Sequence, residues 1–565
     1  MVKIGIRKEP RPAQAAAIAG RAWRLPWVGS LVLIALVVAT AMSPSFGAVP
    51  PWAAHITKAG VAKLRRSAGN GSAEAMDHLG ELYGSGIGVE RNRAEALRWF
   101  KKAAAAGFAP AMQHVGSCYL TGFGAPRDNQ AAIKWFRKSA VAGNYRAWVA
   151  VAAMYARGQG VAKSYATALR MLHRAAKSGD AVAMDEIAEC YADGHGVVRD
   201  RRAELRWFRM AAARGDPYAM FMVGQAYNRG QGVPRDPVEA DHWWRRAAKK
   251  GFRTAMVNLG SAYLAGSGVP RSYPKAMRWL RAAAHAGSGS AMLYIGEIYN
   301  SGQGGDISWS KAMRWYRRAV DKGNGLAMFY ISRMYSYGEG VAKDRRKSLI
   351  WLHKAAAAGS TRAMDALAGA YRVGDGVKTD MATAFSWYQK ASAAGDGRAM
   401  AWLSWFYSGE GGVNRDEKKS AYWARRAAEK GRKASMFDLA LDYVHGRGVK
   451  HSTSKAMRWY RRAAALGFAP AMFNLAGIYA HKGKAAQALK LCRRAAGLGL
   501  PEAMLQMGRL YESGWGVKKN TAKAMYWLKK AVAAGASGAN EALKGLDAKR
   551  KAADRPRRPT TTPAN

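Results

Sequence analysis

Apolar and polar positions along this chain of 565 residues repeat with a period of 36. Alanine–methionine pairs mark the period: Ala75-Met76, Ala111-Met112, Ala183-Met184, Ala219-Met220, Ala255-Met256, Ala291-Met292, Ala327-Met328, Ala363-Met364 and Ala399-Met400 stand 36 or 72 residues apart. Ala147-Trp148 and Ser435-Met436 fill the gaps, Ala471-Met472 continues the register, and one shorter step of 32 leads to Ala503-Met504, which makes thirteen units. Counting the first residue of each pair as zero, position +4 is apolar in every unit, +5 is Gly, Ala or Ser, and +8 is Tyr, from Tyr83 to Tyr511. Positions 0, +1, +4, +5 and +8 share one side of a helix with 3.6 residues per turn, so the pattern predicts an amphipathic helix A. Its small +5 residue lets another helix approach closely.

Most units then read Y-x-x-G-x-G-V, as in Tyr155–Val161 and Tyr191–Val197. Glycines there stop helix A and permit a turn. Position +17 is Asn, Asp or Ser in all twelve full-length units (Asn92, Asp128, Ser164, Asp200, Asp236, Ser272, Ser308, Asp344, Asp380, Asp416, Ser452 and Asn520). These residue types cap helix N-termini, which places the start of a helix B. Helix B carries Trp at +24 in eleven units and a small residue at +28, and it ends at a Gly in all thirteen, from Gly107 to Gly535. The short unit loses four turn residues near His481–Lys484 and keeps both helical patterns.

The succession A-x-x-x-L-G-x-x-Y-x-x-G-x-G-V, then D-x-x-K-A-x-x-W-Y-x-K-A-A, resembles the Sel1-like repeat family, kin of the tetratricopeptide repeats. Ala255–Val269 followed by Lys275–Gly287 follows it closely, and the resemblance covers residues 75 to about 538. It implies an all-α fold: an α-solenoid superhelix of thirteen helix-turn-helix repeats of 36 residues, one shortened to 32, with half-repeat caps. Lys58–Gly71 aligns with a lone helix B and Ala539–Leu546 with the start of a fourteenth helix A. The expected organisation is a basic segment over 1–24, a signal peptide or membrane anchor over 25–47, and a linker with the N-terminal cap over 48–74. The repeats follow over 75–538, then a C-terminal capping helix over 539–548 and a disordered basic tail over 549–565.

The leader reads as an export signal. Lys3, Arg7, Lys8, Arg11, Arg21 and Arg24 face one acid, Glu9, ahead of the uncharged Leu25–Met42, whose 18 residues are just enough to span a bilayer. Ala39-Thr40-Ala41 is a candidate cleavage site, so an uncleaved anchor and a cleaved signal peptide both stand. Either puts the repeats in the cell envelope: periplasmic on an inner-membrane anchor, or released.

Charge changes the picture next. With 90 Lys+Arg against 38 Asp+Glu the net charge is +52, of which about +43 falls on the repeats and the N-terminal cap. The cations run in columns. Position +27 is basic in eleven units, at Lys102, Lys138, Arg174, Arg246, Arg318, Lys354, Lys390, Arg426, Arg462, Arg494 and Lys530, and +23 and +26 are often basic too. With +24, +25, +28 and +29 taken as core, these columns should form outward ridges on the helix B face. The acid that the family normally places before the terminal Gly survives only as Asp321 and Glu429. Such ridges either solvate a helix face and favour its C-terminal dipole or attract an anionic polysaccharide, lipopolysaccharide or membrane surface. Nucleic acid is not expected, because no exposed aromatics interleave with the cations.

Catalytic signatures are missing: there is no H-E-x-x-H, G-x-S-x-G or Walker A, and the G-x-G triplets are inter-helix turns. Cys118 and Cys190 lie two repeats apart, too far to bond, and the chain lacks the Cys pairs of the family's cysteine-rich class, members of which are described as penicillin-binding or β-lactamase-like. His78, His114 and Glu81 together suggest a metal site only weakly; polar groove lining is the reading adopted, with no cofactor and no metal expected. Helix A should line the concave face, with +3 and +6 most open. There the early units place His78, Glu81, Glu186 and Glu189, and the middle units Tyr294, Glu297, Tyr330, Arg333, Trp402 and Trp405. Exposed Tyr, Trp and Arg have the composition of a protein-recognition surface, although Trp402 and Trp405 could equally fill a local packing defect. The resemblance implies a non-catalytic scaffold or adaptor with a protein partner on this face; the alternative is an anionic-polymer binder acting through the ridges.

Overall fold

The computed structural model describes residues 51–53 and 56–553; the expected leader over 1–47 and the end of the tail lie outside the described residues. Among the described residues there are 28 α-helices and no strand, and no helix is long and apolar enough to cross a membrane. The chain forms two compact units that divide between Ile307 and Ser308, inside the turn of the seventh repeat. That turn carries Gly305 where most repeats carry valine, and Ser308 is the one +17 residue whose side chain makes no cap bond.

Each expected repeat is a helix pair, including the shortened one, Ala469–His481 with Ala485–Gly497. Side chains at +17 accept from backbone N–H groups of the first turn of helix B, as Asp128 Oδ1 does from Ala131 at 2.9 Å. The small +5 column is explained by the residue at +25. A Cβ on Gly80 would lie 2.5 Å from the Phe100 ring, and one on Gly224 would lie 2.5 Å from Trp244. Fully buried large side chains at +25, among them Phe100, Phe136, Trp244, Tyr316 and Tyr388, therefore form the spine of the core. The second turn glycine has a different reason. At Gly448 (φ 65°) a Cβ would come within 1.9 Å of the Glu417 carbonyl of the preceding helix B, so only glycine fits.

The first unit starts with a short turn, Pro51–Ala53, and the capping helix Lys58–Gly69, and ends with helix A of the seventh repeat, Gly289–Ser301. Three of its repeats are clamped by an arginine at +26 that donates to the +8 tyrosine of the next repeat: Arg209 to Tyr227 at 2.6 Å and Arg245 to Tyr263 at 2.5 Å, with Arg137 and Tyr155 paired likewise. Arg65 makes the same bond to Tyr83 at 2.9 Å, so the capping helix occupies the place of a helix B.

In the second unit, which starts with helix B of the seventh repeat, Trp309–Val320, the clamp recurs at Arg425–Tyr443 (2.8 Å), Arg461–Tyr479 (3.0 Å) and Arg493–Tyr511 (3.4 Å). Its last helix runs Ala539–Ala553, past the expected boundary at 548. Lys549 reaches Glu512 at 2.8 Å, and Arg550 and Lys551 pair with Asp547, which carries these three residues into the helix instead of the tail. The tenth repeat departs from the rest: helix A, Gly397–Trp405, ends in a π turn over Phe406–Glu410 with Gly409 at φ 95°.

Candidate functional site

In the first unit, the A-helix face carries carboxylates at Glu81, Glu186, Glu189 and Glu297. Tyr294 and Glu297, on Gly289–Ser301, are half-buried, and burial, with the Glu297 charge second, pushes the Tyr294 phenol up to about 12. Glu186 and Glu189 lie on helix A of the fourth repeat, Ala181–Asp193, beside a third acid, Asp185, which is 8% exposed. At the start of the unit, Trp52 caps the face by stacking on His78 at 4.1 Å and donating from Nε1 to Glu81 Oε2 at 3.0 Å. His78 thus belongs to an aromatic contact. The group whose ligand atoms converge within 4.8 Å is Asp77, Glu81 and His114, and these three residues could hold a divalent ion. In the structure His114 Nδ1 and Asp77 Oδ1 are 2.8 Å apart. Burial opposes protonation of His114, but Asp77 and then Glu81 outweigh it and hold its pKa above the ordinary value.

In the second unit, the same face is aromatic and cationic in the eighth and tenth repeats. Tyr330, on helix A of the eighth repeat (Gly325–Tyr337), stacks on Tyr316 at 5.4 Å, and the Arg333 guanidinium lies over Tyr330 and over Tyr337, which is 63% exposed. Trp402 stacks on the buried Tyr388 at 5.7 Å and meets Trp405 edge-on at 5.5 Å, while the Arg372 guanidinium covers it at 4.2 Å. Trp405 Nε1 donates to Glu410 Oε2 at 2.7 Å across the π turn. The positions expected to be most open are therefore half-buried, each ring with a face or an edge already engaged. The structure brings Trp402 and Trp405 together, separately from Tyr330 and Arg333, while Tyr294 and Glu297 fall in the other unit. Sequence reasoning missed Arg372. It stands at +9, a column with no other cation in the chain, and that exception is the signal that could have found it.

Farther along this unit, the missing turn residues of the short repeat leave a groove walled by Leu441, Tyr460, Phe473 and Leu510, with His445 and His481 among its polar groups. Trp515, 39% exposed, also borders it. The deletion was visible in the sequence, but the groove was not, because its walls come from three successive repeats.

The helix B face departs from expectation. All eleven +27 cations are exposed and none forms an ion pair with a described residue. The +24 tryptophans, taken as core, are half-buried with few exceptions, and the cations lie over them: Lys102 on Trp99 at 4.4 Å, Arg246 on Trp243 at 4.4 Å, Lys390 on Trp387 at 4.3 Å and Arg462 on Trp459 at 4.5 Å. Lys138, Arg318, Lys354 and Lys530 lie over their own +24 tryptophans in the same way, Arg174 over Trp148 and Arg426 over Tyr422. Arg494 has Leu491 in the +24 place. Aromatics do interleave with this column, which corrects the expectation of a bare ridge, but the cations cover the ring faces that a nucleobase would need. Position +26 is likewise not a free ridge throughout, since in six repeats its arginine supplies the clamp to the next repeat.

Buried thiols complete the inventory. Cys118, Cys190 and Cys492 are free, and burial pushes each up to about 12, the wrong direction for a nucleophile.

Among solved structures, the chain is similar to a protective antigen of uropathogenic Escherichia coli strains that displays an SLR fold. The two are 28% identical over 86% of this chain and 90% of that one, with a TM-score of 0.51. It is also similar to a Sel1 repeat protein from Oxalobacter formigenes, 30% identical over 54% of this chain and 88% of that one, with a TM-score of 0.43. No curated protein matches it significantly. The Sel1 repeat pattern itself matches twelve segments, continuous or nearly so from 73 to 468 and again over 501–535, passing over only the shortened unit. With helix pairs throughout and this pattern over most of its length, the chain belongs to the Sel1 repeat family.

Proposed function

We propose that this protein is a non-catalytic scaffold of the cell envelope that holds a protein partner on its A-helix face. Sel1 repeat proteins are generally protein-interaction scaffolds. The observation that carries the reading for this chain is the Arg372–Trp402–Trp405 group. Two indoles on helix A of the tenth repeat and a guanidinium from helix A of the ninth, all half-buried, have the composition of an interface hot spot. They sit where helix A ends in a π turn, an irregularity that is often found at functional sites. The basic, apolar leader supports placement in the envelope, either anchored or released.

The test is a crosslinking pull-down from native membranes at low and high salt, using the full-length chain beside a Tyr330→Ala, Trp402→Ala, Trp405→Ala variant. Discrete proteins that survive salt and disappear with the variant support the scaffold. A second reading is favoured by the eleven exposed +27 cations, most of whose partners are neutral rings that leave the charge uncompensated: binding of an anionic envelope polymer. Capture of polymer that is lost in salt and indifferent to the variant would replace the scaffold with that reading.

A further inference from the structure

Position +2 of helix A packs between neighbouring repeats, and Val149, Phe221 and Leu293 are buried there. Three units place an aspartate in this column: Asp77, Asp185 and Asp365. For two of them the next repeat supplies a cation. Asp77 meets His114 at 2.8 Å, and Asp365 meets Arg398 at 3.4 Å with Arg432 and Arg372 adding to the field. Asp185 has none. The residues that correspond to His114 and Arg398 in its next repeat are Met222 and Tyr218, and Tyr218 donates its hydroxyl to Glu189 at 2.7 Å instead.

Asp185 is more than nine-tenths buried, and its Oδ1 has no hydrogen-bond partner. The charged groups that act on it are Asp216, Glu186, Glu189 and Asp180, all carboxylates. Burial and this mutual repulsion push Asp185 up to about 9 and Glu186 and Glu189 up to about 7, although Arg157 offsets part of the effect at Glu186 and the Tyr218 hydrogen bond part of it at Glu189. A buried acid without a counter-charge is a cost to the free chain. In a protein of net charge +52, it is also a concentrated exception to the prevailing sign.

The ligand class follows from the spacing. The described carboxylates and imidazoles whose ligand atoms converge to metal distance are at Asp77, Glu81 and His114, not at this cluster. Acceptors spread over +2, +3 and +6 suit an extended planar cation with several donors, which describes guanidinium better than a compact ammonium or a metal ion. Glu186 also borders a small apolar cavity whose other walls include Val149, Ala153 and Leu172. We infer that the A-helix face of the fourth repeat is a receptor for an arginine side chain of the partner polypeptide, which supplies the counter-charge Asp185 lacks while contacting Glu186 and Glu189. This rests on the reading of the A-helix face as the partner-binding surface.

The experiment is fluorescence anisotropy of a labelled Gly-Gly-Arg-Gly-Arg-Gly-Gly peptide with the full-length protein, beside its lysine and citrulline counterparts. Citrulline keeps the shape and removes the charge. The arginine peptide is expected to bind, with lysine weaker and citrulline weaker by about tenfold or more. An Asp185→Asn, Glu186→Gln, Glu189→Gln variant that keeps its helical circular dichroism should lose about tenfold or more. The Asp365→Asn variant should bind as the parent does. Absence of binding, equal binding of the citrulline peptide, or an unchanged triple variant overturns the inference. Because the membrane pull-down reads residues of the other unit, its failure or success is scored separately from this one.

Discussion

Helix A of the fourth repeat and helix A of the ninth carry aspartate at the same position, and burial pushes both carboxyls up, but cations oppose the push at Asp365 whereas other acids add to it at Asp185. Asp365 finds Arg398 within 3.4 Å and the field of Arg432 and Arg372 behind it. Asp185 finds only other acids. The +5 to +25 packing and the turn glycines recur in both places, so the difference lies in side chains: Glu186 and Glu189 on the helix itself, where the ninth repeat has Ala366 and Gly369, and Tyr218 in the following repeat, where the other has Arg398. A solenoid of this kind separates its tasks: columns that touch within a repeat keep the fold, and columns that touch across repeats are free to vary in chemistry. In the fourth repeat that freedom yields an acidic patch, and in the eighth and tenth an aromatic and cationic one.

The comparison can be broken most forcefully at its paired members. His114→Ala strands Asp77 in the interior and is expected to cost about 3 kcal/mol in denaturant unfolding; a loss near zero would mean that the pair is not holding these repeats together. Acidity should separate the two units next. Asp185, Glu186 and Glu189 have folded pKa values of about 9, 7 and 7, above their ordinary ranges, and that of His114 is raised as well. Each of these groups takes up protons on folding, so stability falls as pH rises toward those values and grows on acidification from 9 to 6. Asp442, in the second unit, is raised to about 6, which confines its contribution to lower pH. The melting temperature should therefore rise from pH 9 to pH 6, and the Asp185→Asn, Glu186→Gln, Glu189→Gln variant should flatten most of that rise. A melting temperature that climbs with pH would contradict the assignment. Arg398→Ala, whose side chain is 68% exposed, should cost only about 1 kcal/mol by the same measurement. Smallest is Lys390→Ala, which removes an exposed cation from the Trp387 face for about 0.5 kcal/mol.

Much of this architecture was legible because the repeat multiplies every signal. Thirteen copies of a small residue at +5 and of tyrosine at +8 announce a packed helix, and Asn, Asp or Ser at +17 announces the next helix start. The partner of the +8 tyrosine was not legible. Its donor lies 18 residues upstream on another repeat, as in Arg209 and Tyr227, and helical periodicity says nothing about contacts between repeats. The half-exposure of the +24 indoles was hidden for a related reason: tryptophan reads as core, yet its face is wide enough to be covered by its own +27 cation. The candidate face was legible in composition only. Trp402 and Trp405 were found by column, but Arg372 and the π turn that draws Trp405 to Glu410 depend on irregularities in single repeats. Asp185 escaped notice because +2 is a packing column, and its lack of a partner is decided by Met222 and Tyr218, neither of which is itself charged.

Thermal unfolding of Asp77→Asn, Asp365→Asn and Asp185→Asn, measured side by side in the full-length protein at pH 7.5, tests the central claim most directly. The account predicts a lower melting temperature for Asp77→Asn, which loses its buried imidazole partner, and a higher one for Asp185→Asn, which relieves a buried acid that the free chain leaves without a counter-charge. It predicts a smaller rise for Asp365→Asn, whose carboxyl is also pushed up by burial but with Arg398 opposing the push. A loss of stability in Asp185→Asn equal to that of Asp77→Asn would show that this carboxylate already has its partner within the chain, and would contradict the account.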